Sequence, residues 1–488
     1  MDDDQEIPPA SVAAQVGRGA AWGLLNSSVI RVASLASGIV LARLLSPADY
    51  GVYAVALVAL TLLQSFNELG VSLALVRWDG NVRRIAPTVM TLATTSSLVL
   101  YLAAYLAAPA FCEAMGSPDA TFVLRLMCLA VIVDGVATVP IGLLNRHFMQ
   151  RERFVGDGAS FAISTGLTIG LAIAGVGPAS FAYGRVAGAV VGTVIYAALS
   201  PLRVGPGWNR EQVGPLLRFG LPLAGASLLV LSVSNVDAII VGAQLSATSL
   251  GVYLIAFNLS SWPLTVFAEA ARRVALAGFS RLATDPAELQ RSFARGMALL
   301  MTVTVPVCVL LAAYADPLIR LLYGDPWAPA ALALPLLAVL GLMRVALFVC
   351  YDLLVALDRS RLLIGLQTLW LAALIPALIA GTAWGGIQGA AAAHVLVVLV
   401  VVTPAFALAL RRLGLRPGRA LMSCLRPLLG GAAIALSAWV VRSMTEGGFT
   451  QLAVGGLAAA LVYVPVLHSM RSFLPGARRI AEPVEVSC

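Results

Sequence analysis

Residues Leu41 to Val76, LARLLSPADYGVYAVALVALTLLQSFNELGVSLALV, hold the end of one apolar run, a short polar turn and a second apolar run. The turn, Leu45-Ser46-Pro47-Ala48-Asp49-Tyr50-Gly51, places a Pro and a Gly where a pair of antiparallel helices reverses direction. The passage returns later in the chain. Leu245-Ser246 and Gly251-Val252-Tyr253 repeat Leu45-Ser46 and Gly51-Val52-Tyr53 at a constant offset of 200 residues. A fixed offset within so apolar a chain implies two related helical lobes.

Outward from this stretch the apolar runs continue to the end of the chain. Hydrophobic residues make up 60% of the 488 and charged residues 11%, which excludes a soluble globular protein. A membrane-spanning helix needs about 20 mainly apolar residues. That length places spans near 20–44, 50–75, 86–109, 120–143, 155–176 and 179–200. Six more follow near 216–243, 250–274, 293–314, 329–356, 361–381 and 386–410, and a last pair near 426–442 and 450–469. The expectation is an all-α polytopic membrane protein of about 14 transmembrane helices. Its domains are an N-terminal tail (1–17), two pseudo-symmetric six-helix lobes (18–200 and 214–412), a C-terminal helix pair (425–470) and a C-terminal tail (471–488). Duplicated lobes are a common plan for secondary transporters, with substrate held between the repeats.

The formal charge of +8 comes entirely from arginine, because no lysine is present. These arginines do not form one patch, as a nucleic-acid surface would. They fall in alternate loops, for example Arg83 and Arg84, Arg146, Arg151 and Arg153, and Arg411, Arg412, Arg416 and Arg419. Arg43, Arg125, Arg320 and Arg442 fall on the other side. This alternation is the positive-inside pattern and predicts both termini in the cytoplasm. The acidic start Met1-Asp2-Asp3-Asp4 lacks the basic region of a cleaved signal peptide, so the first span reads as an uncleaved anchor. The six cysteines form no CxxC pair and the three histidines are far apart, so no metal site or disulfide framework is expected. No phosphate-binding loop motif occurs, and the glycine-rich Gly381-Thr382-Ala383-Trp384-Gly385-Gly386 reads as a helix turn. No cofactor is expected. Outer loops are short, the largest running from about Asp316 to Trp327, which leaves no room for an acceptor site of a polymer-assembling enzyme. Trp22, Trp78, Trp327 and Trp384 read as interfacial anchors.

Charges at membrane depth are costly and tend to face a cavity or a partner. Arg31 in span 1, Arg185 in span 6 and Arg344 in span 10 are candidate ligands for an anionic substrate, since guanidinium forks bind phosphate oxygens bidentately. Each could instead pair with a buried acid or helix carbonyls. Asp134 in span 4, and Asn235 with Asp237 in span 7, would balance those arginines, carry a coupling cation, or serve as structural ion-pair partners. Glu68 and Glu269 are expected to meet cytoplasmic arginines such as Arg77 and Arg272. Asp352 and His394 are weaker candidates, better read as packing residues.

The segments ARLLSPADYGVY and FNELGVSLALVR resemble the opening of the oligosaccharide flippases of the multidrug/oligosaccharidyl-lipid/polysaccharide exporter superfamily. In that family a "LaxxLsPxdfGxya" segment precedes a "dxGlxxal" segment, and residues 41–77 match both. Asn67-Glu68 stands where members often carry Ser-Asp. The resemblance implies two six-helix lobes around a cavity that opens alternately to each side. It also implies transport of undecaprenyl-diphosphate-linked repeat units across the bacterial cytoplasmic membrane, with a polymerase and chain-length or export proteins as partners. A lipid II flippase shares this architecture, and a multidrug/cation antiporter of the same superfamily is the other alternative. Such antiporters rely on intramembrane acids, whereas span 1 carries Arg31 and no acid.

Overall fold

The computed structural model describes residues 9–67, 75, 82–263 and 285–470. Glu68, Arg77, Trp78, Glu269, Arg272 and both chain ends lie outside the described residues, as does most of the FNELGVSLALVR segment. Among the described residues the structure is helical, without strands. It divides into two compact units, 1–251 and 252–488.

The first unit holds α1 (Pro9–Leu44), α2 (Pro47–Asn67), α3 (Val82–Ala114), α4 (Ala120–Arg146), α5 (Gln150–Ile173), α6 (Ala179–Leu199), α7 (Arg210–Gln244) and the start of α8 (Ala247–Pro263). The turn between α1 and α2 shows why its sequence reads as it does. Ser46 caps α2, its Oγ accepting from the Asp49 backbone N–H at 3.1 Å. The Asp49 carboxylate reaches back, accepting from the Ser46 backbone N–H at 3.3 Å and from Ser46 Oγ at 2.7 Å. This reciprocal box satisfies orphan N–H groups of the first turn, and Pro47 sits where its missing N–H costs nothing. The repeat folds in the same way. Ser246 Oγ accepts from the Ser249 N–H at 3.1 Å and lies 3.0 Å from Ser249 Oγ, capping α8. The paired glycines explain themselves by proximity. A Cβ on Gly51 would stand 2.7 Å from Thr248 N, and one on Gly251 3.0 Å from Gly51 N, so the two turns abut backbone to backbone.

Tyr50 and Tyr53 of the same motif pack on Phe181 of α6. Tyr53 stacks on the ring at 3.7 Å between centroids, and Tyr50 meets it edge-on at 5.7 Å. Helices α5 and α6 lie closer still. Gly184, Gly188 and Gly192 recur every fourth residue on one face of α6, opposite Ser160, Ser164 and Thr168 on α5. A Cβ on Gly188 would sit 2.7 Å from the Ser164 side chain, and Ser160 Oγ donates to the Gly188 carbonyl at 2.8 Å. In lipid, where apolar surface gains nothing by leaving one tail for another, such small-residue ladders drive helix association.

The second unit holds the rest of α8, then α9 (Pro286–Ala313), α10 (Ala315–Tyr323), α11 (Ala330–Ala356), α12 (Ser360–Val397), α13 (Thr403–Arg412), α14 (Pro417–Ser423), α15 (Leu425–Met444) and α16 (Gly448–Met470). The C-terminal pair α15 and α16 packs on α9. Ile434, Ala459 and Tyr463 bury against Val309 and Leu310, and Tyr463 donates to the Thr302 carbonyl at 2.9 Å.

Eleven stretches among the described residues are long and apolar enough to cross a membrane, so the chain is a multi-pass membrane protein. One is the 53-residue stretch Ser360–Arg412, which holds two of the expected spans. It reverses at the glycine turn read from the sequence: Gly385 leaves helical geometry and Gly386 takes φ 55°, a left-handed conformation. Trp384 beside it is 89% exposed, as an interfacial residue would be. Trp327 departs from that expectation, being 1% exposed. The segment from Asp316 to Trp327 is not an open loop: α10 and a 3₁₀ turn at Asp325–Trp327 tuck the indole inward. Arg320 pins this turn, with Asp316 at 3.0 Å and Asp325 at 2.6 Å.

Candidate functional site

A cavity of about 550 Å³ opens within the first unit, lined from α1 to α6 by apolar residues and by polar and charged ones that a lipid-facing surface would not carry. Asp134 of α4 stands at its wall, and Arg185 of α6 reaches it, Nη2 to Oδ2, at 2.6 Å. Gln64 of α2 donates to the same carboxylate oxygen at 3.4 Å. The two charged side chains keep 32% and 30% of their surface exposed, so the pair faces the cavity instead of being sealed in protein. A charge-assisted bond this short neutralises both groups at membrane depth. Because the Arg185 side chain stays about one-third exposed (32%), an anion in the cavity could take over from the carboxylate.

A second carboxylate lines the cavity. Asp157 of α5 accepts from Asn26 of α1 at 2.6 Å and from the Tyr196 hydroxyl of α6. Arg153, one turn earlier, lies 3.5 Å away and also bonds Asn145 at 2.8 Å. Tyr196 reaches Asp157 because Gly156 makes room for its ring: a Cβ there would stand 2.5 Å from Tyr196 Cδ1. The buried Oδ1 of Asn26 has no hydrogen-bond partner among the described residues, leaving an acceptor beside the carboxylate. Each carboxylate thus has one arginine, and Ser160, Ser164 and Thr193 add hydroxyls to the wall.

The structure brings together two of the residues singled out from the sequence, Asp134 and Arg185. Arg31 sits on α1 one residue from the cavity-lining Ile30, half-buried, and makes no ion pair among the described residues. Asn235 and Asp237 lie on α7 and are not among the residues lining the cavity. Asp237 is buried and accepts from the Ala238 N–H at 2.9 Å. In the second unit Arg344 of α11 lies over the Phe257 ring of α8, 5.5 Å from its centroid. Asp352 and His394 are both buried there, His394 edge-on to Trp370 at 6.4 Å. Gln64 on the Asp134 side, and Asp157, Asn26 and Tyr196 together, are site residues that the linear pattern did not single out; the last three form one group. Their one signal is Arg153 four residues before Asp157, at the helical spacing of an ion pair. Among the described residues no cluster of His, Cys, Asp and Glu could hold a metal ion.

The family model described as "Polysaccharide biosynthesis protein" matches residues 40–332, more than half of the chain and all of this cavity except its α1 wall. The chain belongs to the polysaccharide biosynthesis protein family. Among its relatives in that context is the lipopolysaccharide biosynthesis protein WzxC of Escherichia coli K12, 23% identical over 78% of each chain. Another is the succinoglycan biosynthesis transport protein ExoT of Rhizobium meliloti, 24% identical over 70% of this chain and 69% of its own. The teichuronic acid biosynthesis protein TuaB of Bacillus subtilis is 21% identical over 72% and 73%. Among solved structures, the lipid II flippase MurJ in an inward closed conformation aligns with TM-score 0.75 at 15% identity, covering 91% of this chain and 97% of that one. An inward-facing multidrug resistance MATE family transporter aligns with TM-score 0.63 at 16% identity, over 79% and 98%. This polysaccharide biosynthesis protein therefore shares its fold with the MurJ and MATE structures.

Proposed function

We propose that this protein flips undecaprenyl-diphosphate-linked oligosaccharide repeat units across the bacterial cytoplasmic membrane for surface polysaccharide synthesis. The observation that carries this reading is the Arg185–Asp134 pair, a guanidinium held at membrane depth in the cavity on a side chain still about one-third exposed (32%). In the empty cavity Asp134 balances Arg185. When substrate arrives, diphosphate oxygens replace the carboxylate, and Arg31 and Arg344 add positive charge along the path. The sugars occupy the hydroxyl-lined space while the prenyl chain stays in lipid. Asp134, with Asn235 and Asp237, balances charge or carries a coupling ion through the return step. No bond of the substrate is broken, so the protein acts as a transporter and not as an enzyme.

Both termini face the cytoplasm in this reading. The six-helix lobes, 18–200 and 214–412, alternate access, with 425–470 as an added pair and 1–17 and 471–488 as tails. A polymerase and chain-length or export proteins consume the flipped unit. Family membership and relatives named for lipopolysaccharide, succinoglycan and teichuronic acid favour this substrate class over lipid II or cationic drugs. The test is the lipid extract of a deletion strain. Accumulation of complete diphosphate-linked repeat units with loss of surface polymer is expected. An unchanged lipid pool with new sensitivity to cationic drugs would overturn the proposal.

A further inference from the structure

A larger cavity, about 670 Å³, lies in the second unit. It is formed where the first turns of α9 meet the segment that leads from α13 into α14. Four arginines line it: Arg291 and Arg295 from α9, and Arg416 and Arg419 from the facing segment. Among the described residues only Arg291 has an acid, Glu288 at 2.7 Å. Arg295, Arg416 and Arg419 make no ion pair among the described residues and are exposed. Like charges gathered this way repel one another, and among the described residues only Glu288, beside Arg291, offsets them.

The backbone around the cavity is fixed and already satisfied. The Gln290 side chain is buried and clamps Arg416, accepting from its N–H at 2.6 Å and donating to its carbonyl at 3.3 Å. Asp285 caps α9, its Oδ1 accepting from Ala287 N at 3.0 Å and Glu288 N at 3.1 Å. The donors left for a ligand are the guanidinium groups. Leu421 and Met422 on α14 and Leu425 at the start of α15, within six residues of Arg419 in the chain, are exposed. Arginine forks without an acid partner and an apolar edge exposed on the same short segment, at the end of membrane-spanning helices, fit an amphiphile with a phosphate head. A soluble anion would have no use for the apolar edge.

We infer that this arginine-lined cavity is a binding site for the phosphate headgroup of a membrane lipid. The ligand chemistry is a phosphate ester or diphosphate on an apolar chain, supplied either by bulk anionic phospholipid or by a prenyl diphosphate. The site stands independently of what the protein transports, since binding is read without transport.

The test is native mass spectrometry of the purified full-length protein with phosphatidylglycerol, undecaprenyl diphosphate and phosphatidylcholine. Anionic lipid is retained and phosphatidylcholine is not. Replacing three charges together, Arg295→Gln, Arg416→Gln and Arg419→Gln, weakens retention by about a hundredfold. The corresponding triple lysine variant keeps most of it. Preference for undecaprenyl diphosphate identifies the prenyl lipid as ligand, and preference for phosphatidylglycerol identifies bulk phospholipid. In the unaltered protein, retention falls as NaCl rises. Equal retention of phosphatidylcholine, salt-insensitive retention, or undiminished binding by a glutamine variant with unchanged melting temperature would overturn the inference.

Discussion

Replacing Arg185 with Gln removes one half of the 2.6 Å pair and leaves Asp134 with Gln64 as its remaining donor. Two quantities then separate a substrate ligand from a structural charge. Both members of the pair are about one third exposed (32% and 30%), so water in the cavity screens them. The stability at stake lies between the roughly 0–1 kcal/mol of an exposed pair and the roughly 3–5 kcal/mol of a stranded buried charge. A cost of about 1–2 kcal/mol follows, and the freed carboxyl can reduce it by taking up a proton. The protein should therefore persist in the membrane. The loss to a bound diphosphate is larger in consequence, because a charge-assisted bond contributes about 1.5–3 kcal/mol, or roughly 10–150-fold in affinity. The assay is complementation of a deletion strain, scoring surface polymer together with membrane abundance of the protein. Arg185→Gln is expected to lose polymer at near-normal abundance. Asp134→Asn with Arg185→Gln restores charge neutrality without restoring the anion ligand, so the double variant should stay inactive. Recovery of export by that double variant would refute the reasoning and leave the pair a structural one.

Three further outcomes follow from the same geometry. Gly156→Ala forces Tyr196 away from Asp157 and should lower stability by about 1–3 kcal/mol, read as a fall in melting temperature of the solubilised protein. Tyr196→Phe removes the hydroxyl alone and should cost less, about 1 kcal/mol in the same assay, because Asn26 and Arg153 still serve the carboxylate. Ser46→Ala should cost about 1 kcal/mol of helix capping and exceed the effect of Ser246→Ala. Only Ser46 faces a carboxylate that returns the bond, so equal shifts in melting temperature would contradict the capping-box assignment.

What could be read from the linear chain was whatever repeats or travels along one helix. The Ser46 and Gly51 motif and its copy at Ser246 and Gly251 became matching caps and abutting turns, because capping and close approach depend on neighbours in sequence. Span lengths were legible because a bilayer imposes them, and the Gly385-Gly386 reversal because only glycine takes that backbone readily. Side-chain partners between helices were not legible. Arg185 and Asp134 each stood out as a charge in an apolar run, but their pairing spans 51 residues and joins α4 to α6. Asp157 stood at the very start of an expected span, where a charge is unremarkable. Its importance comes from Asn26 and Tyr196, brought to it by α1 and α6. Trp327 read as an anchor because aromatic residues favour interfaces, and only the fold of α10 over it shows otherwise.

The most direct measurement is flipping itself, in liposomes containing the purified protein and a fluorescent prenyl-diphosphate oligosaccharide, with a membrane-impermeant quencher added outside. The account predicts that inner-leaflet label becomes quenchable with the unaltered protein and stays protected with Arg185→Gln. Label equally protected with the unaltered protein and in protein-free liposomes would contradict it.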